Sequence, residues 1–113
     1  MSRRVAITGI GMVTPLGVGK TIFSQKLFNG DSGICPITGF DTSRFPSNLG
    51  AQVSDFSPAD FISRKNLRKM DRLSRMAVAS ARMAIDDSQI NLDSINSDRM
   101  GIILGTAYGS TDV

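Results

Sequence analysis

At 113 residues and 41% hydrophobic content, the chain carries enough apolar material to bury a core, either as one ordinary domain or as a piece of a larger one. A formal net charge of +3 is too mild to imply nucleic acid on its own, and no run of roughly 18 apolar residues is present to span a membrane. The chain has no histidine, which excludes a Ser–His or Cys–His nucleophile pair, a histidine base and most catalytic zinc sites within these residues.

The chain opens on Met-Ser-Arg-Arg and passes at once into Val-Ala-Ile-Thr, without the apolar stretch and small-residue cleavage site of a signal peptide. The single cysteine, Cys35, has no partner for an internal disulfide, which fits a reducing compartment, so a cytoplasmic location is expected. Residues 3–10 predict a buried strand that runs into Gly9 and Gly11, where the backbone can turn tightly or approach another segment. Pro15 and Gly17 punctuate the loop that follows. Residues 20–29 then predict a short amphipathic helix with Ile22, Phe23 and Leu27 apolar, closed by Gly30.

Residues 31–58 are irregular and long for a loop, so one or two short strands are expected there, with 49–53 the best candidate. Cys35 lies in this stretch with no activating base or helix N-terminus in view and reads as a semi-buried structural thiol. Ser63 is placed to cap a short helix over 64–70, and Asp71 a longer one running to about Asp87. In the longer helix Leu73, Ala77, Ala81 and Ala84 recur at spacings of three and four, widened by Met76, Val78 and Ile85, and predict a core-facing stripe suited to close backbone approach. Arg72, Arg75, Arg82 and Asp86 are expected on the opposite face. After a polar stretch at 88–97, residues 100–105 predict a second strand, apolar on both faces as in a covered parallel sheet. The order strand, helix, excursion, helix, strand predicts an α/β fold, and two such strands need further strands to close the core.

Two nucleotide motifs come close to matching. Gly9 to Thr14 resembles G-x-G-x-x-G until the last position, where Thr14 replaces the glycine that lets helix and strand pack closely. The acidic residue expected about twenty positions on would have to end a second strand, whereas Asp31 follows a helix. Residues 14–21, T-P-L-G-V-G-K-T, match the phosphate-loop template G-x-x-x-x-G-K-[ST] at all but its first position, with Lys20 and Thr21 as phosphate and magnesium contacts. Pro15 removes an N–H from that cradle, and the strand ends several residues too early, so an ordinary loop before a surface helix is the better reading. The phosphate loop stays the main rival.

The third feature is charge. Arg64, Lys65, Arg68, Lys69, Arg72 and Arg75 place six cations in twelve residues, opposed by Asp71 alone. In one continuous helix Lys65, Arg68, Lys69 and Arg72 would share a face. Such a run is commonly a solvated surface. As a docking patch it would serve nucleic acid, an anionic membrane or an acidic protein. Nucleic-acid recognition would call for interleaved aromatics, and none lie within the run, so an acidic protein is the economical partner.

Taken together these stretches are recognisable. V-A-I-T-G-I-G-M-V-T-P-L-G at 5–17, N-G-D-S-G-I at 29–34, F-D-T-S at 40–43, D-F at 55–56, I-S-R-K-x-x-R-K-M-D at 62–71 and G-I-I-L-G-T-A-Y-G at 101–109 resemble β-ketoacyl-acyl carrier protein synthases of the thiolase superfamily. The nearest branch holds the synthase II enzymes and the ketosynthases of aromatic polyketide systems. The resemblance covers essentially the whole chain and implies a thiolase-like α/β fold, layered α-β-α with a mixed central sheet. Residues 1–113 would be its incomplete N-terminal half, truncated before the catalytic cysteine.

The implied chemistry is a decarboxylative Claisen condensation of an acyl thioester, held on a cysteine, with malonyl-acyl carrier protein. No cofactor or metal is implied. Family members carry the cysteine and two histidines beyond the matched region, and Cys35 does not match the nucleophile, so no catalytic residue transfers. Lys65, Arg68 and Lys69 match basic positions that meet acyl carrier protein. Thr106 and Tyr108 fall in a loop beside the acyl pocket, where Tyr108 replaces a usually aliphatic side chain. The implied partners are acyl carrier protein, acyl and malonyl thioesters, and a second subunit in a homodimer or ketosynthase heterodimer, with no nucleic acid and no membrane. Non-catalytic chain-length partner subunits share this pattern, and the 113 residues alone are expected to be inactive.

Overall fold

The computed structural model describes residues 2–110. They fall into two compact units, one formed by Met12–Ser57 and the other by Met1–Gly11 together with Pro58–Val113.

The Met12–Ser57 unit begins with a tight antiparallel hairpin. β1, Val13–Thr14, pairs with β2, Gly17–Val18, in the register Val13↔Val18 and Thr14↔Gly17, leaving Pro15-Leu16 as the two-residue turn. The Thr14 hydroxyl donates to the Gly17 carbonyl at 2.9 Å and locks that turn. α1, Lys20–Phe28, follows directly. Gly30 at φ 77° ends it: its N–H donates to Leu27 O at 3.1 Å, and the next N–H, of Asp31, reaches back to Lys26 O at 2.9 Å. This left-handed stop answers the last orphan carbonyls of the helix, as the sequence predicts for Gly30.

The amphipathic reading of α1 is corrected. No residue of the helix is buried, and Phe28 is 87% exposed. Ile22 touches the backbone of Gly17, but Leu27 and Phe28 have no layer to cover them within the unit.

β3, Ile34–Pro36, pairs antiparallel with β4, Leu49–Ala51, in the register Ile34↔Ala51, Cys35↔Gly50 and Pro36↔Leu49. The predicted strand at 49–53 is therefore present but shorter. The connection is pinned by Ile37 N–H to Asn48 O at 2.8 Å and Thr38 N–H to Gln52 Oε1 at 2.9 Å, and it carries an edge-to-face pair, Phe40 and Phe45, with centroids 5.8 Å apart. All three β3 residues are exposed, so Cys35 is an exposed thiol and the semi-buried assignment does not hold. A two-stranded ribbon has no second layer to cover it.

In the other unit α3, Arg72–Ser88, is the organising element. Asp71 caps it as predicted: its carboxylate accepts from Ser74 N–H at 2.6 Å. Against α3 runs the segment around Gly9 and Gly11. A β-carbon at Gly9 would collide with the Ala84 carbonyl and Ser88, and one at Gly11 with the Ser80 carbonyl and Ala84. Only glycine permits that approach of backbone to backbone. The Ile10 N–H donates to Asp87 Oδ2 at 3.0 Å and fixes the register of the contact.

Among the described residues of this unit, the buried ones are Ala79, fully enclosed, and Ile62, 7% exposed. The core stripe therefore needs correction. Ala81 and Val78 are exposed, while Ser80, Ala84 and Ser88 meet the glycine segment. The approach is made on helix backbone, and it is the missing β-carbons of Gly9 and Gly11 that let the two main chains meet. Val78, Ala81, Arg82, Ile85 and Asp86 instead line an open concavity with Leu92 and Ile102.

Residues 3–10 and 100–105 are predicted as central strands, but neither has regular secondary structure. Val5 and Ile7 are 91% and 84% exposed, Ile102 and Ile103 91% and 101%. A strand is defined by its neighbours, and among the described residues neither segment has a ladder partner. The sheets found are the two antiparallel pairs.

Replacing Gly11 by alanine should destabilise the protein by at least about 2 kcal/mol, because the obstacle is helix backbone that cannot re-rotamer. Chemical denaturation of the variant against the parent measures this, and an unchanged midpoint would refute the close approach.

Candidate functional site

The basic run is built on a helix–turn–helix. A 3-10 turn, Pro58–Asp60, leads through the buried Ile62 to α2, Arg64–Leu67. Ser63 occupies the N-cap position in an extended conformation but makes no side-chain cap bond, so its predicted role is positional only. α2 is shorter than the predicted 64–70. Lys69 N–H donates to Asn66 O and Met70 N–H to Leu67 O, a tightened turn that unwinds before Asp71.

Asp71 is extended, with ψ 172°, and this breaks the chain between the two helices. Arg72 therefore starts a new helix, and the predicted single face of Lys65, Arg68, Lys69 and Arg72 does not continue through it. Lys65, Arg68 and Lys69 remain together on α2 and its closing turn, and all three are exposed.

Charge counting places Arg75 with this cluster, but geometry removes it. Its Nη2 donates to the Leu67 carbonyl at 2.9 Å, folded inward against α2. Asp71 stands one helical turn before it, close enough for the two charges to act on each other. The Asp71 carboxyl is held below the ordinary aspartate range, first by hydrogen bonds from the Ser74 side chain and backbone. The Ser110 side chain and the Arg75 charge act in the same direction, and burial works against them.

Thr106 and Tyr108 lie in the same unit. Thr106 Oγ1 accepts from Gly109 N–H at 3.1 Å, which closes a small turn, and Tyr108 on that turn is 90% exposed. Neither residue lines the concavity described above.

The phosphate-loop reading fails on geometry. Residues 14–18 are folded into the β1–β2 hairpin, Lys20 and Thr21 open α1, and Gly19 N–H donates to Met12 O at 2.9 Å. The Thr14 hydroxyl is turned to Gly17 O. The loop closes on itself and offers no cradle of converging N–H groups. Among the described residues no cluster of three or more His, Cys, Asp or Glu side chains is placed to hold a metal, and no helix is long and apolar enough to cross a membrane.

The model of the beta-ketoacyl synthase N-terminal domain matches residues 2–113. The chain belongs to the β-ketoacyl synthase family. Among its relatives, the 3-oxoacyl-[acyl-carrier-protein] synthase 2 of Coxiella burnetii is 43% identical over 107 residues, covering 95% of this chain and 26% of the relative. That of Synechocystis is 37% identical over 111 residues, covering 98% and 27%. The chain thus spans about a quarter of the length of the curated relatives it matches. Among solved structures, the ishigamide ketosynthase/chain length factor superposes with a TM-score of 0.75 at 40% identity, over 84% of this chain and 24% of that one. A type II polyketide ketosynthase in complex with its acyl-carrier protein gives 0.65 at 27% identity, over 85% and 25%. The resemblance to β-ketoacyl synthases stated from the motifs is thereby established, and the fold is that of the N-terminal region of a ketosynthase.

Asp71 gives a pH prediction. Its folded-state pKa lies below the unfolded value of about 3.9, so its stabilisation is complete above that value and disappears as pH falls through the folded pKa. Asp71→Asn keeps a capping side chain but cannot titrate. The Tm gap between parent and variant should be largest near neutral pH and close on acidification below about pH 4. A gap independent of pH would overturn the charged cap.

Proposed function

We propose that the chain is the N-terminal part of a 3-oxoacyl-[acyl carrier protein] synthase acting in fatty-acid or polyketide chain elongation. What carries the reading is the match to synthases along almost the whole chain. In the reaction an acyl group sits as a thioester on the enzyme's cysteine. Malonyl-acyl carrier protein loses carbon dioxide, and the carbanion attacks the acyl carbonyl. The new C–C bond forms as the C–S bond to the enzyme breaks, giving 3-oxoacyl-acyl carrier protein and the free thiol. The chain itself contributes recognition and framework, and the 113 residues alone are inactive. In the complete protein, segments 3–10 and 100–105 join the central mixed sheet of a layered α-β-α fold, and the enzyme works as a homodimer or ketosynthase heterodimer. Their exposed valine and isoleucines support that role, since such apolar surface calls for cover.

Lys65, Arg68 and Lys69 dock acyl carrier protein. They are exposed, close together and cationic, as an acidic partner requires. The test is condensation by the intact protein with acyl- and malonyl-acyl carrier protein, read as 3-oxoacyl product by mass spectrometry. Charge reversal at all three should raise KM for carrier-protein substrates at least about tenfold with kcat little changed, and flatten the salt dependence. An unchanged KM refutes the docking assignment.

A second reading, a chain-length partner subunit without its own condensation, is favoured by the superposition on a ketosynthase/chain length factor pair. It predicts no acyl-enzyme and no product unless a separate ketosynthase is supplied.

Thr106 and Tyr108 border the acyl pocket in this proposal. Tyrosine is larger than the aliphatic side chain it replaces and carries a hydroxyl that needs a partner, so it shortens the accepted acyl chain. Tyr108→Gly should shift products to longer chains, and an identical product distribution would remove Tyr108 from chain-length control.

A further inference from the structure

Of the six cations between Arg64 and Arg75, five are exposed and Arg75 alone is partly enclosed. Its guanidinium donates to the carbonyl of Leu67, the last residue of α2, and its Nε is buried without a hydrogen-bond partner among the described residues. The final carbonyls of a helix lack intrahelical donors and carry the negative end of its dipole. Leu67 O accepts Met70 N–H from the closing turn at 3.3 Å, and Arg75 adds a second, charged donor to it.

α2 needs that help. It has four residues, too few to be stable by propagation of its own hydrogen bonds, and Ser63 provides no side-chain cap at the other end. Lys65 stands on this turn, and Arg68 and Lys69 directly follow the gripped carbonyl. The 17-residue α3, which carries Arg75 one turn past its Asp71 cap, is the rigid partner.

We propose that Arg75 is a positioning residue that holds α2 on α3 and so presents Lys65, Arg68 and Lys69 to acyl carrier protein without touching it. The part concerning the carrier rests on the docking reading above. A residue that acts this way changes how well the patch is held and not how many charges meet the partner. Its removal therefore weakens binding without altering the number of ions released on docking.

The experiment uses the complete synthase and acyl carrier protein, comparing Arg75→Met, which keeps most of the aliphatic stem, and Arg75→Lys, which keeps the charge, with Lys69→Glu. Arg75→Met should weaken carrier-protein affinity roughly threefold to tenfold, with the slope of log Kd against log salt unchanged, whereas Lys69→Glu flattens that slope. Arg75→Lys should recover part of the loss through its remaining donor. Amide exchange at residues 66–70 should quicken about tenfold or more in Arg75→Met and stay at the parent rate in Lys69→Glu. A flattened slope in Arg75→Met would make Arg75 a direct contact and overturn the proposal, as would unchanged exchange at 66–70. If Lys69→Glu and the triple reversal leave affinity untouched, the docking reading fails, while faster exchange in Arg75→Met still upholds the hold on α2.

Discussion

The approach of the Gly9–Gly11 backbone to α3 is the constraint on which its unit depends. Two glycines meet the backbone of Ser80, Ala84 and Ser88 and the β-carbons of Met83 and Ser88, and no β-carbon fits between. The Ile10 N–H to Asp87 bond then removes the freedom to slide. Most stability in a small unit comes from burying large side chains, yet here the fully enclosed residue is an alanine. Close main-chain packing takes the place of bulk. It engages residues 80–88 of α3, while the other end of the same helix carries the Asp71 cap.

Asp71 is the junction of the basic turn. Its extended backbone separates α2 from α3, while its carboxylate receives Ser74 and lies beside Arg75. Ser110, next to the Thr106–Gly109 turn, is among the groups that favour the charged form of the same carboxyl.

Local chemistry was legible in the sequence and non-local pairing was not. α3 was placed nearly to the residue because Asp71 and the repeating apolar positions both act within the helix itself. Gly30 marked the end of α1 for the same reason. Residues 3–10 and 100–105 have the composition of strands, but Val5 and Ile103 become strand residues only beside a ladder partner, which composition does not supply. Cys35 was misjudged because the β3–β4 ribbon joins residues far apart in the chain, and nothing local reveals that such a ribbon lacks a second layer. Ser80 and Ser88 escaped a hydrophobic pattern because it is their backbone, not an apolar side chain, that meets Gly11 and Gly9. Arg75 reads as one more member of a charge run, because its acceptor is the main-chain oxygen of Leu67, which no side-chain pattern marks. Family membership came through clearly because it rests on glycine, proline and charge positions, which survive without knowledge of the sheet.

The acceptor gripped by Arg75 is a main-chain oxygen. Every residue type offers the same carbonyl at position 67, so the grip is blind to which side chains the turn displays. Lys65, Arg68 and Lys69 are thus free to be exchanged for another set of charges without unseating the turn that bears them. Changing the charge that the surface presents becomes a matter of decorating an existing mount, separate from the packing that holds the mount in place.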